Sequence, residues 1–232
     1  MRLLNRLVAY FTLWERILWL SSVIVLTVAF FAFKESDPIT FAASLVGVTA
    51  LIFCAKGNPF GQCLMVVFSL IYGAISYGFA YYGEMITYLG MSGPMAVLAL
   101  IAWLRNPFAG NRHEVKINRM GRREIIFMCF LVTAVTVAFY FILDYFDTAN
   151  LYPSTLSVAT SFSAVYLTFR RSPYFALLYA INDVVLLVLW TLAAMEDISY
   201  VSVIVCFVVF LVNDLYGFFN WLRMEKRQKS VE

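Results

Sequence analysis

Long apolar runs broken by short polar stretches recur from one end of the chain to the other, and eight can be marked. They are Ile17–Phe33, Ile39–Ala55, Gly61–Tyr82, Met85–Leu104, Glu124–Phe146, Pro153–Phe169, Pro173–Ala194 and Ser199–Leu222. Each is close to the roughly 20 residues a helix needs to cross a hydrocarbon core. Pro59, Pro107, Pro153 and Pro173 lie at or near the edges of these runs. There the missing N–H costs least and a helix starts or stops cleanly. The pattern predicts an all-α integral membrane protein of eight transmembrane helices.

Composition supports the same reading. Hydrophobic residues make up 62% of the 232 residues and charged residues 13%, with a mean hydropathy of +0.82. A soluble domain is about half apolar and about a quarter charged. So little polar surface cannot cover a globule in water, and disorder, a coiled coil or a small disulfide scaffold are excluded as well. Eight spans consume about 160 residues, which leaves short loops and no room for a soluble catalytic domain.

The net charge of +3 matters less than its placement. Threading eight spans puts 16 of the 17 Lys and Arg residues on one side, with only Lys34 opposite. The first loop on that side is the N-terminal segment with Arg2, Arg6 and Arg16. Lys56 follows, then Arg105, Arg112, Lys116, Arg119, Arg122 and Arg123, then Arg170 and Arg171, then Arg223, Lys226, Arg227 and Lys229. By the positive-inside rule both termini are expected in the cytoplasm. Ile17–Phe33 could imitate a signal peptide, but no A-x-A-like site follows it, so an uncleaved first helix is expected. Tyr81, Tyr82, Tyr88, Tyr145, Tyr152 and Tyr200 cluster near the opposite ends, as interfacial aromatics do.

Two stretches echo each other. Asn58-Pro59-Phe60 leads into a helix, an acidic turn at Gly83-Glu84, and a helix ending Ala102-Trp103-Leu104-Arg105. Ser172-Pro173-Tyr174 leads into a helix, an acidic turn at Glu196-Asp197, and a helix ending Asn220-Trp221-Leu222-Arg223. Each is preceded by one more span. The expected organisation is one membrane domain over residues 1–232: an extra N-terminal helix at 1–37, a first three-helix bundle at 38–106, a basic loop and linker helix at 107–151, a second bundle at 152–224, and a cytoplasmic tail at 225–232. Parallel repeats of this kind hold substrate between them near the midplane.

Ionisable groups at membrane depth are costly and face a cavity or a partner. Asn182 and Asp183 lie about 11 residues into the seventh span, roughly 16 Å from its start. Asn213 and Asp214 lie in the eighth. Helical spacing puts Tyr179, Asn182, Asp183, Leu186 and Trp190 on one side of the seventh span, and Asn213, Tyr216, Gly217 and Asn220 on one side of the eighth. Gln62, Ser69, Tyr72 and Ser76 form a stripe on the third, and Tyr88, Ser92 and Met95 lie on the fourth. The alternatives differ by residue. Ser157, Thr160, Ser161 and Thr168 of the sixth span suit helix packing. Asp214 is shallow enough to pair with Arg170 or Arg171, or to serve a solute path. Trp190 and Tyr216 fit either a core or a site. Gly93-Pro94 interrupts the fourth span as a hinge or as a static kink.

Catalytic chemistry is not written into the chain. It has no phosphate-binding G-x-x-x-x-G-K-[ST] motif, no H-E-x-x-H and no G-x-S-x-G. The lone histidine, His113, falls in the basic loop and is expected to be solvated. Cys54, Cys63, Cys129 and Cys206 sit in apolar runs without a CxxC pair and read as packing residues. No cofactor and no metal is expected, and passage of a solute is favoured over an enzyme. Tyr and Trp offer flat faces, and a cationic ring would gain from them and from an ionised Asp183. Asn, Gln and Ser would read hydroxyls and amides, which suits a nucleoside-like vitamin.

The residues then resemble a family. Tyr81-Tyr82-Gly83-Glu84-Met85, Trp103-Leu104-Arg105-Asn106-Pro107, Asn182-Asp183 with Trp190, and Asp214-Leu215-Tyr216-Gly217-Phe218-Phe219-Asn220-Trp221 look like PnuC-type vitamin transporters, over about residues 38 to 224. The resemblance implies a SWEET-like arrangement of three, one and three helices behind the extra first helix, and a homotrimer. It also implies facilitated diffusion of nicotinamide riboside, trapped inside by a separate kinase. Under it, Asn182 and Asn213 would bond the ribose or carboxamide, and Trp190, Tyr72 and Tyr216 would stack or gate. Asp183, Gln62 and Ser76 would complete the substrate site, with Gly93, Pro94, Tyr179 and Tyr88 as hinge or gate. Thiamine, riboflavin or a deoxynucleoside are the alternative solutes, and a non-transporting membrane assembly subunit is the alternative class.

Overall fold

The computed structural model describes residues 10–33, 38–78, 82–148, 150–195 and 198–231. Helices form at all eight expected places. They are α1 (Leu13–Ala32), α2 (Pro38–Ala55), α3 (Pro59–Gly78), the broken rod α4 (Tyr82–Ile86) and α5 (Gly93–Arg105), α6 (Arg122–Tyr145), α7 (Leu151–Phe169), α8 (Phe175–Ala194) and α9 (Val201–Lys229). Seven of the rods are long and apolar enough to cross a membrane. The exception is α7, whose seven Ser and Thr residues dilute its hydropathy.

Several boundaries move for physical reasons. The expected acidic turn at Gly83-Glu84 is the first turn of α4, and the connection before it, with Tyr81, lies outside the described residues. Glu196 and Asp197 of the second acidic turn, and Arg2, Arg6 and Lys34, also lie outside them. The basic loop contains an antiparallel hairpin of β1 (Pro107–Phe108) and β2 (Asn111–Val115). The segment after 224 is helical as well, because α9 runs on to Lys229. There Gln228 Oε1 accepts from the Ile117 N–H at 2.9 Å and its amide donates to the Val115 carbonyl at 3.0 Å. Arg119 and Lys229 both pair with Glu225, and Arg227 pairs with Glu114. The helix end and the basic loop thus satisfy each other.

The fourth rod is interrupted as its Gly-Pro pair predicts. A π-helical stretch, Thr87–Ser92, stands directly before Gly93-Pro94. Proline cannot donate to the ladder, and a widened turn relieves the clash of its ring with the preceding carbonyl. Opposite this bulge, a Cβ at Gly73 would lie 2.4 Å from Leu89, so only glycine lets α3 come this close.

Packing is reciprocal. α2 packs on α3, and α3 on α5; α7 packs on α8, and α8 on α9. Between the groups, α2 meets α9 and α7 meets α5. The ends rich in Lys and Arg close on a shared core of Trp103, Trp221, Phe175, Leu167, Cys54, Val115 and Met224. The two indoles lie 5.3 Å apart and both are fully buried. Trp103 Nε1 donates to the Thr168 carbonyl at 2.9 Å, and Trp221 Nε1 donates to the Cys54 carbonyl at 2.8 Å. Each indole therefore satisfies a carbonyl near the C-terminus of a helix in the opposite group, one that the helix itself leaves open.

The loops after α2 and α7 repeat bond for bond. Gly57 has φ +65° and Arg171 has φ +57°. Gly57 N–H donates to Cys54, and Arg171 N–H to Thr168; Asn58 N–H donates to Phe53, and Ser172 N–H to Leu167. The basic loop then donates to both, from Val115 N to Gly57 O at 2.9 Å and from Asn118 N to Arg171 O at 3.0 Å.

α1 lies across α2 and α9. Its start is a capping box between Thr12 and Glu15. Glu15 is buried and pairs with Lys56 at 2.9 Å, while Tyr216 donates to Glu15 at 3.1 Å. The Lys56 ammonium also stands 4.8 Å from the ring centre of Tyr10. Burial raises the Tyr10 phenol above its ordinary pKa, so it remains a protonated partner for Asn58 and His113.

Replacing Trp221 by Phe removes one of the two donors to the Cys54 carbonyl, which keeps the Gly57 N–H. It is expected to cost about 1 kcal/mol. Trp103→Phe should cost a similar amount, and Trp14→Phe, at a side chain 74% exposed, should cost almost nothing. Thermal unfolding of the detergent-solubilised protein checks this, with both buried variants melting several degrees lower.

Candidate functional site

Above the tryptophan core lies a cavity of about 470 Å³ between the two groups of helices. That is within the range of small-molecule sites. Its mouth is at the end opposite the basic loops, among Tyr82, Gly83, Phe146, Asp147, Thr148 and Asn150. α8 supplies one wall with Tyr179, Asn182, Asp183, Leu186, Leu189, Trp190 and Ala193, which recur at the spacing of one helical face. α9 adds Phe207, Phe210 and Asp214. Phe68, Ser69, Thr87, Tyr88 and Ser92 face them from α3 and the π stretch. Ser154, Ser157 and Ser161 of α7 complete the wall. Among the described lining residues three are aspartates and none is Lys, Arg or His.

Six of the residues singled out above as site or gate fall on this wall or beside it. Asn182, Asp183, Trp190, Tyr88 and Tyr179 line the cavity. Asn182 Oδ1 accepts from Thr160 at 2.7 Å, which holds the amide. Trp190 packs on Tyr200 near the mouth, ring centres 5.3 Å apart and planes inclined by 46°. Gly93 follows the lining π stretch and is buried beside it. Pro94 sits one residue further on, at the start of α5, and does not line the wall.

The others lie elsewhere. Asn213 is buried against α1, its amide donating to Ser22 at 2.9 Å and to the Val209 carbonyl at 2.8 Å. Tyr216 is at the basic end, bonded to Glu15. Tyr72 stands behind the wall, its ring against Phe68 at 4.7 Å and Tyr88 at 5.1 Å. Ser76 is buried in α3, away from the lining. Gln62 is also buried and donates to Cys54 Sγ at 3.2 Å. It borders a second void of about 20 Å³, room for one water, between the cavity floor and the tryptophans. Tyr179, Met65, Ser69, Ser92 and Val165 line both voids and divide them.

Asp214 is the residue whose role the sequence left open. It does not reach Arg170, which pairs with Glu124. It lines the same cavity as Asp183. Asp183 Oδ2 is buried without a hydrogen-bond partner. Phe207 and Phe210 are further parts of the site that the apolar pattern alone did not single out, since each reads as ordinary core.

Helices that span a membrane around a cavity open at one end and sealed at the other have the architecture of a solute transporter. The chain belongs to the nicotinamide mononucleotide transporter family, whose model matches residues 37–223. It is therefore a membrane transporter and not an enzyme. It is 22% identical to the nicotinamide riboside transporter PnuC of Neisseria mucosa (strain ATCC 25996 / DSM 4631 / NCTC 10774 / M26) over 216 residues, covering 91% of this chain and 82% of that protein. Its fold is similar to the crystal structure of the vitamin B3 transporter PnuC, with a TM-score of 0.78, 21% identity and 94% of each chain covered.

With Cys63 and Cys129 replaced by Ser, a cysteine at Ser157 or Ser161 is expected to react with a membrane-impermeant thiol reagent added at the mouth side. A cysteine at Ser172, 4% exposed beneath the tryptophans, should not. Labelling rates on right-side-out vesicles test the placement of the mouth.

Proposed function

We propose that the protein imports nicotinamide riboside across the cytoplasmic membrane by facilitated diffusion. The observation that carries this is the cavity lining, with its aspartates, aromatic faces and amide and no Lys, Arg or His among the described residues. The family's description names a mononucleotide, whereas the curated relative is named for the riboside. A nucleotide brings a phosphate, and phosphate sites are built from Arg, Lys or helix N-termini. A wall of carboxyls opposes one. The riboside carries instead a pyridinium ring, which aromatic faces and carboxylates attract.

In this reading the ring enters past Trp190 and Tyr88, and Asn182 bonds the ribose or carboxamide. Two three-helix units at 38–106 and 152–224 rock about the site, joined by the basic loop and linker helix at 107–151, with 1–37 an added helix and 225–232 the tail. The reciprocal indole bonds and the paired loops support that three-one-three, SWEET-like arrangement. The basic end faces the cytoplasm, as its Lys and Arg content supports. Separation of Trp103 from Trp221 opens the path there, and Tyr179 gates the floor. A kinase in the cytoplasm then traps the solute by phosphorylation. α6 packs mainly on α7 and leaves much of its apolar surface bare, which supports assembly as a trimer.

Purified protein in liposomes is expected to equilibrate labelled nicotinamide riboside without ATP, ion gradient or voltage, and to stop at the outside concentration. Nicotinamide mononucleotide should not compete. Asn182→Ala should weaken riboside uptake up to about tenfold, the worth of one lost hydrogen bond. Accumulation above the outside level in empty liposomes would overturn the mechanism.

A further inference from the structure

Two seams join the groups of helices, α2 against α9 and α5 against α7. The first is closed at both ends. Toward the mouth Cys206 Sγ donates to Ser44 Oγ at 3.6 Å. At the sealed end Trp221 bonds the Cys54 carbonyl, and the Asn220 amide donates to the Ala55 carbonyl at 2.8 Å. α1 also bridges this seam. Trp19 Nε1 donates to Thr49 of α2 at 3.1 Å, and Ser22 accepts from Asn213 of α9. The buried Glu15 carboxylate accepts from Lys56, just past α2, and from Tyr216 of α9. Parting α2 from α9 here would take a partner from a buried charge, which is costly. The second seam is different. In its mouth half the broken rod of α4 and α5 stands apart from the start of α7. The cavity opens there, between Tyr82, Gly83 and Thr87 on one side and Thr148, Asn150 and Ser154 on the other. In its other half the bond of Trp103 to the Thr168 carbonyl crosses it. That carbonyl also receives the Arg171 N–H, so it keeps a donor if the indole leaves. Between this bond and the cavity floor lies the void of about 20 Å³. Among the described residues, none from α1, α2 or α9 lines it. Gln62, Ser69, Ser92 and Thr168 give it polar groups, and Ala96 and Ala99 leave it room.

We propose that the solute leaves the cavity along the α5–α7 seam, through the polar void between Tyr179 and Trp103, while α1 keeps the α2–α9 seam shut as the hinge. The proposal rests on the transport reading and adds which seam opens. One seam held fixed, with the other parted first in its mouth half and then in its floor half, gives each side access in turn. Opening breaks the Trp103 bond to Thr168 and leaves Trp221 on Cys54, which is how the two indoles separate. Gln62, Ser69, Ser92 and Thr168 then line a wet path. They offer hydrogen bonds to the hydroxyls and amide of the solute as it passes, so no polar group is stripped of partners.

The test ties each seam in turn, in protein with Cys63 and Cys129 replaced by Ser. Ser44→Cys brings a second thiol to Cys206, whose sulfur already stands 3.6 Å from the Ser44 oxygen, within reach of a disulfide across α2–α9. Ala99→Cys with Val165→Cys sets two thiols in the wall of the small void, one on each side of the α5–α7 seam. After oxidation the first protein is expected to carry nicotinamide riboside into liposomes within about twofold of its reduced rate, whereas the second should slow by about tenfold or more and recover on reduction. The reverse pattern would overturn the proposal, and so would loss in both or retention in both. A second measurement needs neither a disulfide nor uptake. Ala99→Cys and Ala55→Cys, each alone and both at buried positions, are treated with an impermeant thiol reagent on the side of the basic loops. Ala55 closes α2 and lies nearer that side than Ala99 within α5. Ala99→Cys should nevertheless label about tenfold faster or more, since its seam alone opens. Equal labelling, or faster labelling of Ala55→Cys, would count against the assignment. Should the untied protein carry no nicotinamide riboside while Ala99→Cys labels as expected, the riboside reading fails and the seam assignment stands.

Discussion

Everything at the sealed end depends on two backbone carbonyls, one in each group, that each bond an indole of the other group. A helix leaves its last carbonyls without intrahelical donors, and away from water each open group is expensive. α2 and α7 both end inside the molecule, and the carbonyls of Cys54 and Thr168 in their last turns face a packed core. Each receives an indole N–H from the last helix of the opposite group. The bond closes the helix end, joins the groups and fixes the depth of the seal. A positive-φ residue then turns each chain away, Gly57 in one loop and Arg171 in the other, and the basic loop donates to both turns. The cavity exists because this closure occupies one end only.

Much of this could be read in the chain, for a definite reason. Apolar runs of span length have few alternatives in lipid, so the eight rods and the basic side follow from hydropathy and charge. The paired Asn58-Pro59 and Ser172-Pro173 signals mark loops that do repeat in the structure. Hydropathy fails where helices leave the apolar layer. Residues 225–229 are polar, so the apolar run stops near Leu222, yet the helix continues because Glu225, Arg227 and Gln228 find partners in the basic loop. The hairpin within that loop carries no apolar alternation that would announce it.

The site was legible on α8 and misleading on α9. Depth and helical spacing alone put Asn182, Asp183 and Trp190 on one face, and that face lines the cavity. On α9 two adjacent polar residues compete, and neighbours on a helix point about 100° apart. One turns to the cavity and the other to α1. Which is which depends on where α1 packs, and α1 has no counterpart among the repeated segments to reveal it. Ser22 and Glu15 of α1 take Asn213 and Tyr216 as structural partners. The same helix buries Glu15 beside Lys56 and so fastens the α2 loop to α9, which the second group has no matching helix to do for its own loop.

Duplication explains the closure but not the binding chemistry, and the difference is informative. The register that sets Cys54 opposite Thr168 puts Ser69 at the place of Asp183. The register that sets Trp103 opposite Trp221 puts Ala96 at the place of Asp214. One group therefore brings a hydroxyl and a methyl where the other brings two carboxyls. The Asp183 and Asp214 carboxyls therefore come from one group only, an asymmetric wall above a symmetric seal. The indole bonds must be matched for both groups to seat at one depth, whereas the wall above them is free to differ between the groups.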